Sequence, residues 1–314
     1  MQLETLKIFC DVIETQSFSK AASLNYISQS AVSQQIRGLE EKYDRRLIER
    51  GKRSLAPTQA GQVLYQGAKD LLERFRLVEN RLQVLSNAIA GTLRVATIYT
   101  VGLHELPSYL KEFLRRYPSA NVHLEYARAN RIYDEVAGNS VDLGIVAYPV
   151  RRSGIDVLPF REDQLVIICH PDHPLARQRK VEFRKLSRQR FVAFEKDIPT
   201  RRAVDRVLRR QGVVLDIVME FDNVETIKRA VEINAGLAIV PALTVEAEVQ
   251  AGTLRTVEFA RGQITRQLGI LVKKGRERTA VLERFVALLQ GKDAAEPVEP
   301  VEPAGAARQA GEGS

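Results

Sequence analysis

The spacing of apolar residues changes period along this chain, and each change marks a different kind of element. Over residues 1–57 the period is helical. Leu3, Leu6, Phe9, Cys10 and Ile13 form one apolar stripe. Ser17 or Ser19 is placed to cap a short second helix ending at Leu24, and the small Ala21 and Ala22 let another helix approach closely. Asn25, Tyr26 and Ile27 turn the chain, and Ser28 caps a third helix. On that helix Val32, Ile36, Leu39 and Tyr43 recur at steps of four, three and four. Two helices joined by a tight turn, the second apolar on one side and polar on the other, predict a helix-turn-helix.

Over residues 58–90 the pattern becomes a heptad. Leu64, Ala68, Leu71, Phe75, Val78, Leu82, Leu85 and Ile89 alternate steps of four and three without a proline. This predicts one long helix, and a strict 3.5-residue repeat favours a partner helix from a second copy over packing on its own domain. Over residues 92–290 short β-branched runs alternate with helical segments. Strand 92–98, a helix about 103–117, strand 122–126, a helix near 132–137 and strand 142–147 make a first α/β unit. A second unit starts near 163, with strands 165–169, 191–194, 217–221 and 237–240 and helices 201–211 and 224–234. Strand 267–272 and helix 279–289 return to the first lobe. The expectation is a two-lobed α/β domain, lobe I from 92–161 and 266–290 and lobe II from 162–265, with a ligand cleft between them. Residues 291–314 repeat Glu-Pro-Val and then run to Ala, Gly and Gln; that composition buries no core and predicts a disordered tail.

Charge adds a partner. The formal net charge is +8. Residues 291–314 hold two cations against five acids, which leaves +11 on the rest of the chain, an excess that favours a polyanion. Against this background one helix face stands out. Ser28, Gln29, Ser30, Ser33, Gln34 and Arg37 share the polar side of the third helix with almost no charge, in a chain that is 27 % charged. A merely solvated face prefers long charged residues. Base edges in a major groove ask instead for Gln on adenine, Ser as donor or acceptor, and Arg forked onto guanine, while carboxylates would repel phosphates. Arg45, Arg46, Arg50, Lys52 and Arg53 follow, with Gly51 turning between two short apolar pieces, and Thr58 closes the stretch. That suits a β-hairpin wing whose cations hold phosphate and set register.

Other chemistry is sparse. Cys10 and Cys169 each lie in an apolar run and read as buried thiols in a reducing compartment. His104, His123, His170 and His173 are scattered, and His170 and His173 bracket Pro171 and Asp172 without further convergent ligands, so no metal is assigned. No P-loop, nucleophile elbow or cysteine pair with metal spacing occurs; no catalytic residue and no cofactor are nominated. The first nine residues contain Glu4 and Lys7 and lack the apolar core of a signal peptide, and no apolar run reaches membrane-spanning length, so the expected place is the cytoplasm.

Taken together, residues 17–61, the heptad helix, "FLRRYPSANVHLEY" (113–126), "VDLGIV" (141–146), "HPDHPLA" (170–176) and "DNVETIKRAVEINAGLAIVP" (222–241) resemble LysR-type transcriptional regulators over about residues 1–290. The resemblance implies a winged helix-turn-helix, a dimerising linker helix, a type II periplasmic-binding-protein-like effector domain, and assembly as tetramers of two dimers. RNA polymerase enters as a candidate partner. Ser30 stands where the family often has Pro, Gln34 where it often has Arg, and Pro57 where Leu is usual, so no known operator transfers base for base.

In two-lobed α/β binders the ligand sits at strand ends, facing helix N-termini. Thr97, Tyr99 and Thr100 follow the first strand, Thr200 and Arg201 precede one lobe II helix, and Asp222 and Asn223 precede another. Arg128 and Tyr148 also lie at strand ends. The resemblance singles out the threonines after strand one and Thr200, while capping stands as the alternative for Thr200 and Asn223. Helix dipoles with Arg201 or Arg128 favour a small carboxylate or inorganic oxyanion. The reading is a sequence-specific DNA-binding regulator under effector control. Its rival is a small-molecule-binding protein or enzyme that uses the N-terminal helices only as a dimer arm.

Overall fold

The computed structural model describes residues 2–50, 55–84, 89–260 and 262–293. Three helices open the chain: α1 (Leu3–Thr15), α2 (Phe18–Leu24) and α3 (Gln29–Tyr43). Ser17 Oγ accepts from the Lys20 amide to start α2, and Ser28 Oγ accepts from the Ala31 amide at 3.1 Å to start α3. In the turn between them Asn25 donates to Asp11 at 2.6 Å and to the Ala21 carbonyl at 2.9 Å, and Tyr26 takes a left-handed φ of 54°. Val32, Ile36 and Leu39 bury against Ile8, Phe9, Val12 and Ala21, so the apolar face of α3 is the core of this domain. Strands β1 (Ile48–Arg50) and β2 (Leu55–Pro57) pair antiparallel. The long helix α4 (Gln59–Val84) follows at once. Its first turn crosses so close to the wing that a Cβ on Gly61 would lie 1.9 Å from the Leu47 carbonyl oxygen; only glycine permits that approach.

The heptad seam divides where the sequence shows one continuous stripe. Leu64 and the buried Ala68 pack on Leu6 and Cys10 of α1. Leu71, Phe75, Val78 and Leu82 are instead 49 %, 45 %, 52 % and 63 % exposed. Leu85 lies outside the described residues, and Ile89 packs on the lobe I core. Off the seam on the same helix, Glu73 pairs with Arg276, which also donates to Asp142 at 2.8 Å. Arg94 joins the same cluster, 3.6 Å from Glu73 and 3.3 Å from Asp142. The linker helix is thus pinned to lobe I by a largely buried charge network.

Lobe I comprises β3 (Gly91–Thr97), α5 (Tyr99–His104), α6 (Leu106–Arg116), β4 (Ala120–Tyr126), α7 (Ala129–Ala137) and β5 (Leu143–Ala147). The single helix expected over 103–117 is two helices. The break falls at Glu105, which is buried and turned toward Arg161, and Pro107 favours a new start there. Then β6 (Ile155–Cys169) runs for 15 residues, not from 165, because it serves both lobes. Lobe II adds β7 (Lys180–Val181), β8 (Arg190–Phe194), α8 (Pro199–Arg210), β9 (Asp216–Phe221), α9 (Val224–Glu232), β10 (Ala238–Pro241), α10 (Glu246–Ala251) and β11 (Arg255–Phe259). The chain returns through β12 (Ile264–Lys273) and ends its packed part with α11 (Ala280–Leu289).

Strand order along the main sheet is β4-β3-β5-β12-β6-β11-β7, with β10 also on β6; β8 and β9 pair separately. β3 is parallel to β4 and β5, while β12 is antiparallel to both β5 and β6. The register of β6 with β12 runs from Ile155 opposite Lys273 to Leu165 opposite Ile264, so these two strands are the crossing connections between lobes. Each lobe has its own apolar core. Phe113 and Phe285 of α6 and α11 meet edge-on in lobe I at 5.0 Å. The core of lobe II gathers on Leu165, Ile167, Phe191 and Leu237. The tail expectation needs one correction: Asp293, within the stretch expected to be disordered, is buried against Arg116 at 3.1 Å, and residues 294–314 lie outside the described ones.

Candidate DNA-binding surface and effector cleft

The polar face of α3 points away from the core that its other face builds. Ser28, Gln29, Ser30, Gln34 and Arg37 are exposed and Ser33 is half-buried. Three of these groups are partly committed. Ser28 and Ser30 hydroxyls share a 2.8 Å hydrogen bond, and Gln29 Oε1 accepts from Ser19 Oγ at 2.9 Å, which fixes the amide and leaves its NH₂ outward. Thr58 plays a structural part. Its hydroxyl donates to the Arg46 carbonyl at 2.7 Å and accepts from the Gly61 amide at 3.0 Å, capping α4 and fastening it to the wing. Lys52 and Arg53 lie outside the described residues, as does the side chain of Arg50, whose backbone sits in β1. Tyr26, 96 % exposed in the turn beside α3, is not singled out by sequence, where its left-handed backbone is invisible.

Between the lobes lies a cavity of about 330 Å³. The first turns of α5, α7, α8 and α9 converge on it, bringing Tyr99, Thr100, Arg128, Thr200, Arg202 and Asn223 to its wall. These helix starts and the arginines favour an anion, while Asp197 and Asp222 on the same wall oppose one. Asn223 lines the cavity, and its Oδ1 accepts from the Thr226 amide at 3.0 Å as the cap of α9. Thr200 does not cap; Ile198 holds the cap position of α8 and Thr200 lies in the first turn.

Three expected contacts lie elsewhere. Thr97 is fully buried in β3 and its hydroxyl turns to the carbonyls of Ile98 and Ile145. Arg201 faces away from the cavity: it donates to the Phe194 carbonyl at 2.6 Å, to Glu220 at 2.6 Å and to Asp205 at 2.9 Å. The cavity-lining guanidinium on α8 belongs to its neighbour, Arg202. Tyr148 is a hinge tie; its hydroxyl donates to the Thr265 carbonyl at 3.0 Å, and its left-handed φ of 50° bends the chain off β5.

The floor of the cleft carries a residue that sequence reading missed. Arg266 of β12 is 1 % exposed, lines the cavity, pairs with Asp163 of β6 and donates to Thr100 Oγ1 at 2.9 Å. Its signal was present: a cation at an inward position of an alternating strand is buried and therefore paired. Close by, Arg161 donates to Glu105 at 2.7 Å. Burial, together with the neighbouring Asp163 charge, holds the Glu105 carboxyl up at about 7, against an opposing pull from Arg161. The folded chain therefore keeps a proton on Glu105 through a pH range where the unfolded chain has released it, above its ordinary 4.5. Stability from this group falls as pH rises from about 4.5 to about 7. Glu105→Gln is expected to flatten that part of a Tm-against-pH profile; an unchanged slope would remove Glu105 as its source.

Matches to known proteins now bear on these two surfaces. Residues 3–62 match the model for bacterial regulatory helix-turn-helix proteins of the lysR family, and residues 86–294 match the LysR substrate binding domain. The chain belongs to the LysR family. It is an effector-controlled, DNA-binding transcriptional regulator. A relative named a probable RuBisCO transcriptional regulator, from Cyanidioschyzon merolae, is 34 % identical over 289 residues, spanning 90 % of this chain and 95 % of its own. The LysR-family structure of full-length CbnR complexed with its target DNA superposes with a TM-score of 0.68 at 20 % identity, over 93 % of this chain and 100 % of that one, and so speaks to fold alone. The regulatory domain of CcmR from Synechocystis PCC6803, in complex with 2-PG, is 27 % identical with a TM-score of 0.60, over 66 % of this chain and all of that domain. Among the described residues no helix of this LysR protein is long and apolar enough to cross a membrane, and no group of three metal-ligating side chains gathers.

Proposed function

We propose that this regulator controls transcription of genes serving carbon fixation through RuBisCO, as a cytoplasmic homodimer that pairs into tetramers, and that its effector is a small phosphorylated anion such as 2-phosphoglycolate. The observation that carries the reading is the 34 % identity, over nearly the full length of both chains, with a probable RuBisCO regulator. The effector class draws support from the CcmR domain and from the cavity, where helix N-termini, Thr100, Thr200 and cations face one space. A 330 Å³ cavity suits a small organic anion. The protein binds this anion without chemical turnover and needs no cofactor. Burial pushes the Cys10 thiol up to about 12 and the Cys169 thiol up to about 11, which leaves neither as a thiolate at neutral pH and argues against a thiol-based signal.

The exposed stripe Leu71, Phe75, Val78 and Leu82 is the seam for the second copy. Phe75→Lys is expected to shift sedimentation toward the monomer and to weaken DNA binding with it, since a two-fold site is then read by one α3 at a time. The decisive experiment is a footprint on the RuBisCO operon promoter of its own genome, with and without 2-phosphoglycolate. A protected site whose extent or affinity shifts with the anion is the expected result. Protection only elsewhere would sink the target assignment; protection indifferent to the anion would sink the effector.

A further inference from the structure

We propose that Glu195, Asp197 and Asp222 form a latch that holds Arg128 across the mouth of the cleft until an anionic effector takes it from them. The inference rests on the anionic-effector reading above. Arg128 stands at the start of α7 in lobe I and lines the cavity. Its Nη1 donates to Asp197 at 2.8 Å, and its Nη2 donates to Glu195 at 2.9 Å and lies 3.5 Å from Asp222. All three acids come from lobe II, on the loops after β8 and β9, and Asp197 and Asp222 line the cavity themselves. Among the described residues no other cation comes within ion-pair distance of these three acids. One of the cations on the cavity wall is therefore already occupied, and its occupancy ties one lobe to the other.

Two of the arginines that line the cavity, Arg128 and Arg266, differ in the property that matters for exchange. Arg266 is buried with Asp163, so removing its partner would strand a charge out of water. Arg128 and its acids are about half exposed, 54 % against 41 %, 60 % and 48 %, so each pair is individually weak and solvent can replace it. A phosphate or carboxylate reaching Arg128 trades one set of oxygens for another at little cost. The freed carboxylates, all on lobe II, then face the anion held by Arg128 on lobe I without a counter-ion, and that repulsion bears on the spacing of the lobes. An uncharged ligand of the same size fits the cavity and leaves the latch shut.

The test is calorimetric titration of the full chain with 2-phosphoglycolate and, separately, inorganic phosphate. Four proteins are compared: wild type, Arg128→Gln, the triple variant E195Q/D197N/D222N, and the two combined. The latch predicts that the triple variant binds 2-phosphoglycolate about tenfold more tightly at low salt, because Arg128 no longer has to be taken from three acids. It also predicts a steeper loss of affinity with salt in the triple variant, where binding is a net gain of ion pairs and not an exchange. Arg128→Gln weakens binding alone and abolishes the gain in the combined protein. Equal or weaker binding by the triple variant beside normal wild-type binding overturns the latch and leaves the effector class intact. Failure of all four proteins to bind either anion overturns both.

Discussion

Replacing Arg266 by methionine is expected to cost the effector domain about 3–5 kcal/mol of unfolding free energy, the range for removing one partner of a buried ion pair. Arg266 heads the fully buried side chains by size, and it reaches Asp163 through two nitrogens, the Nε at 2.9 Å. Take the guanidinium away and Asp163, itself 7 % exposed, must ionise in a poorly solvated place or hold a proton at neutral pH. Arg161, 3.7 Å from Asp163 and 42 % exposed, offers partial relief, so the lower end of the range is the better expectation. The loss should be largely repaired in the double variant Arg266→Met with Asp163→Leu, where no charge is stranded. Urea unfolding of the three proteins checks this. A single substitution costing under about 1 kcal/mol, as for an exposed pair, would mean that the pair is hydrated. The double variant should still bind effector poorly, because the cavity wall loses a cation and Thr100 Oγ1 loses its donor.

That residue also shows where sequence reading reaches and where it stops. Periodicity located the helix-turn-helix, the long helix and the alternation of strands and helices, because each has a repeat written into adjacent positions. It could not separate α5 from α6, since the break depends on Glu105 finding Arg161, 56 positions away. It could not show that β6 begins at Ile155, because a strand shared by two lobes shows no boundary where it leaves one and enters the other. In the cleft, composition at strand ends brought Tyr99, Thr100, Arg128, Thr200 and Asn223 to the cavity. Of two adjacent arginines the sequence reading named Arg201, whereas the one that lines the cavity is Arg202. Arg201 and Arg202 are equivalent by composition, and one residue of helix rotation, about 100°, sends one to Glu220 and the other to the cavity. The linker seam could be read as a stripe but not divided between its two neighbours. A heptad states that a stripe is apolar along its length, and α1 covers the first part while leaving Leu71 to Leu82 open.

Gln29→Ala and Ser33→Ala are expected to relax sequence preference, while Arg53→Ala weakens all duplexes alike. The rotation of α3 leaves little freedom in this assignment. Val32 and Ile36 are 0 % exposed and Leu39 is 3 %, so turning the helix to hide its polar face would bring three apolar side chains into water. Burying each is worth about 1.5–3 kcal/mol. The face bearing Gln29, Ser33, Gln34 and Arg37 is thereby fixed outward. The N-terminal turns of a recognition helix reach the base edges. With its Oε1 held by Ser19, Gln29 presents the NH₂ of its amide outward, a donor for a purine N7 or a thymine O4. Losing one good base contact costs about 1–3 kcal/mol of discrimination, and a two-fold site counts that loss twice. Arg53, in the wing segment, supplies charge without reading: its loss should lower affinity nearly uniformly and reduce the slope of log K against log salt by about one per subunit. Binding measured against a library of single-base variants of the footprinted site, at two salt concentrations, separates the two behaviours. If Gln29→Ala and Arg53→Ala gave the same sequence-blind loss, α3 would be a phosphate clamp, and specificity would have to come from the shape of the duplex.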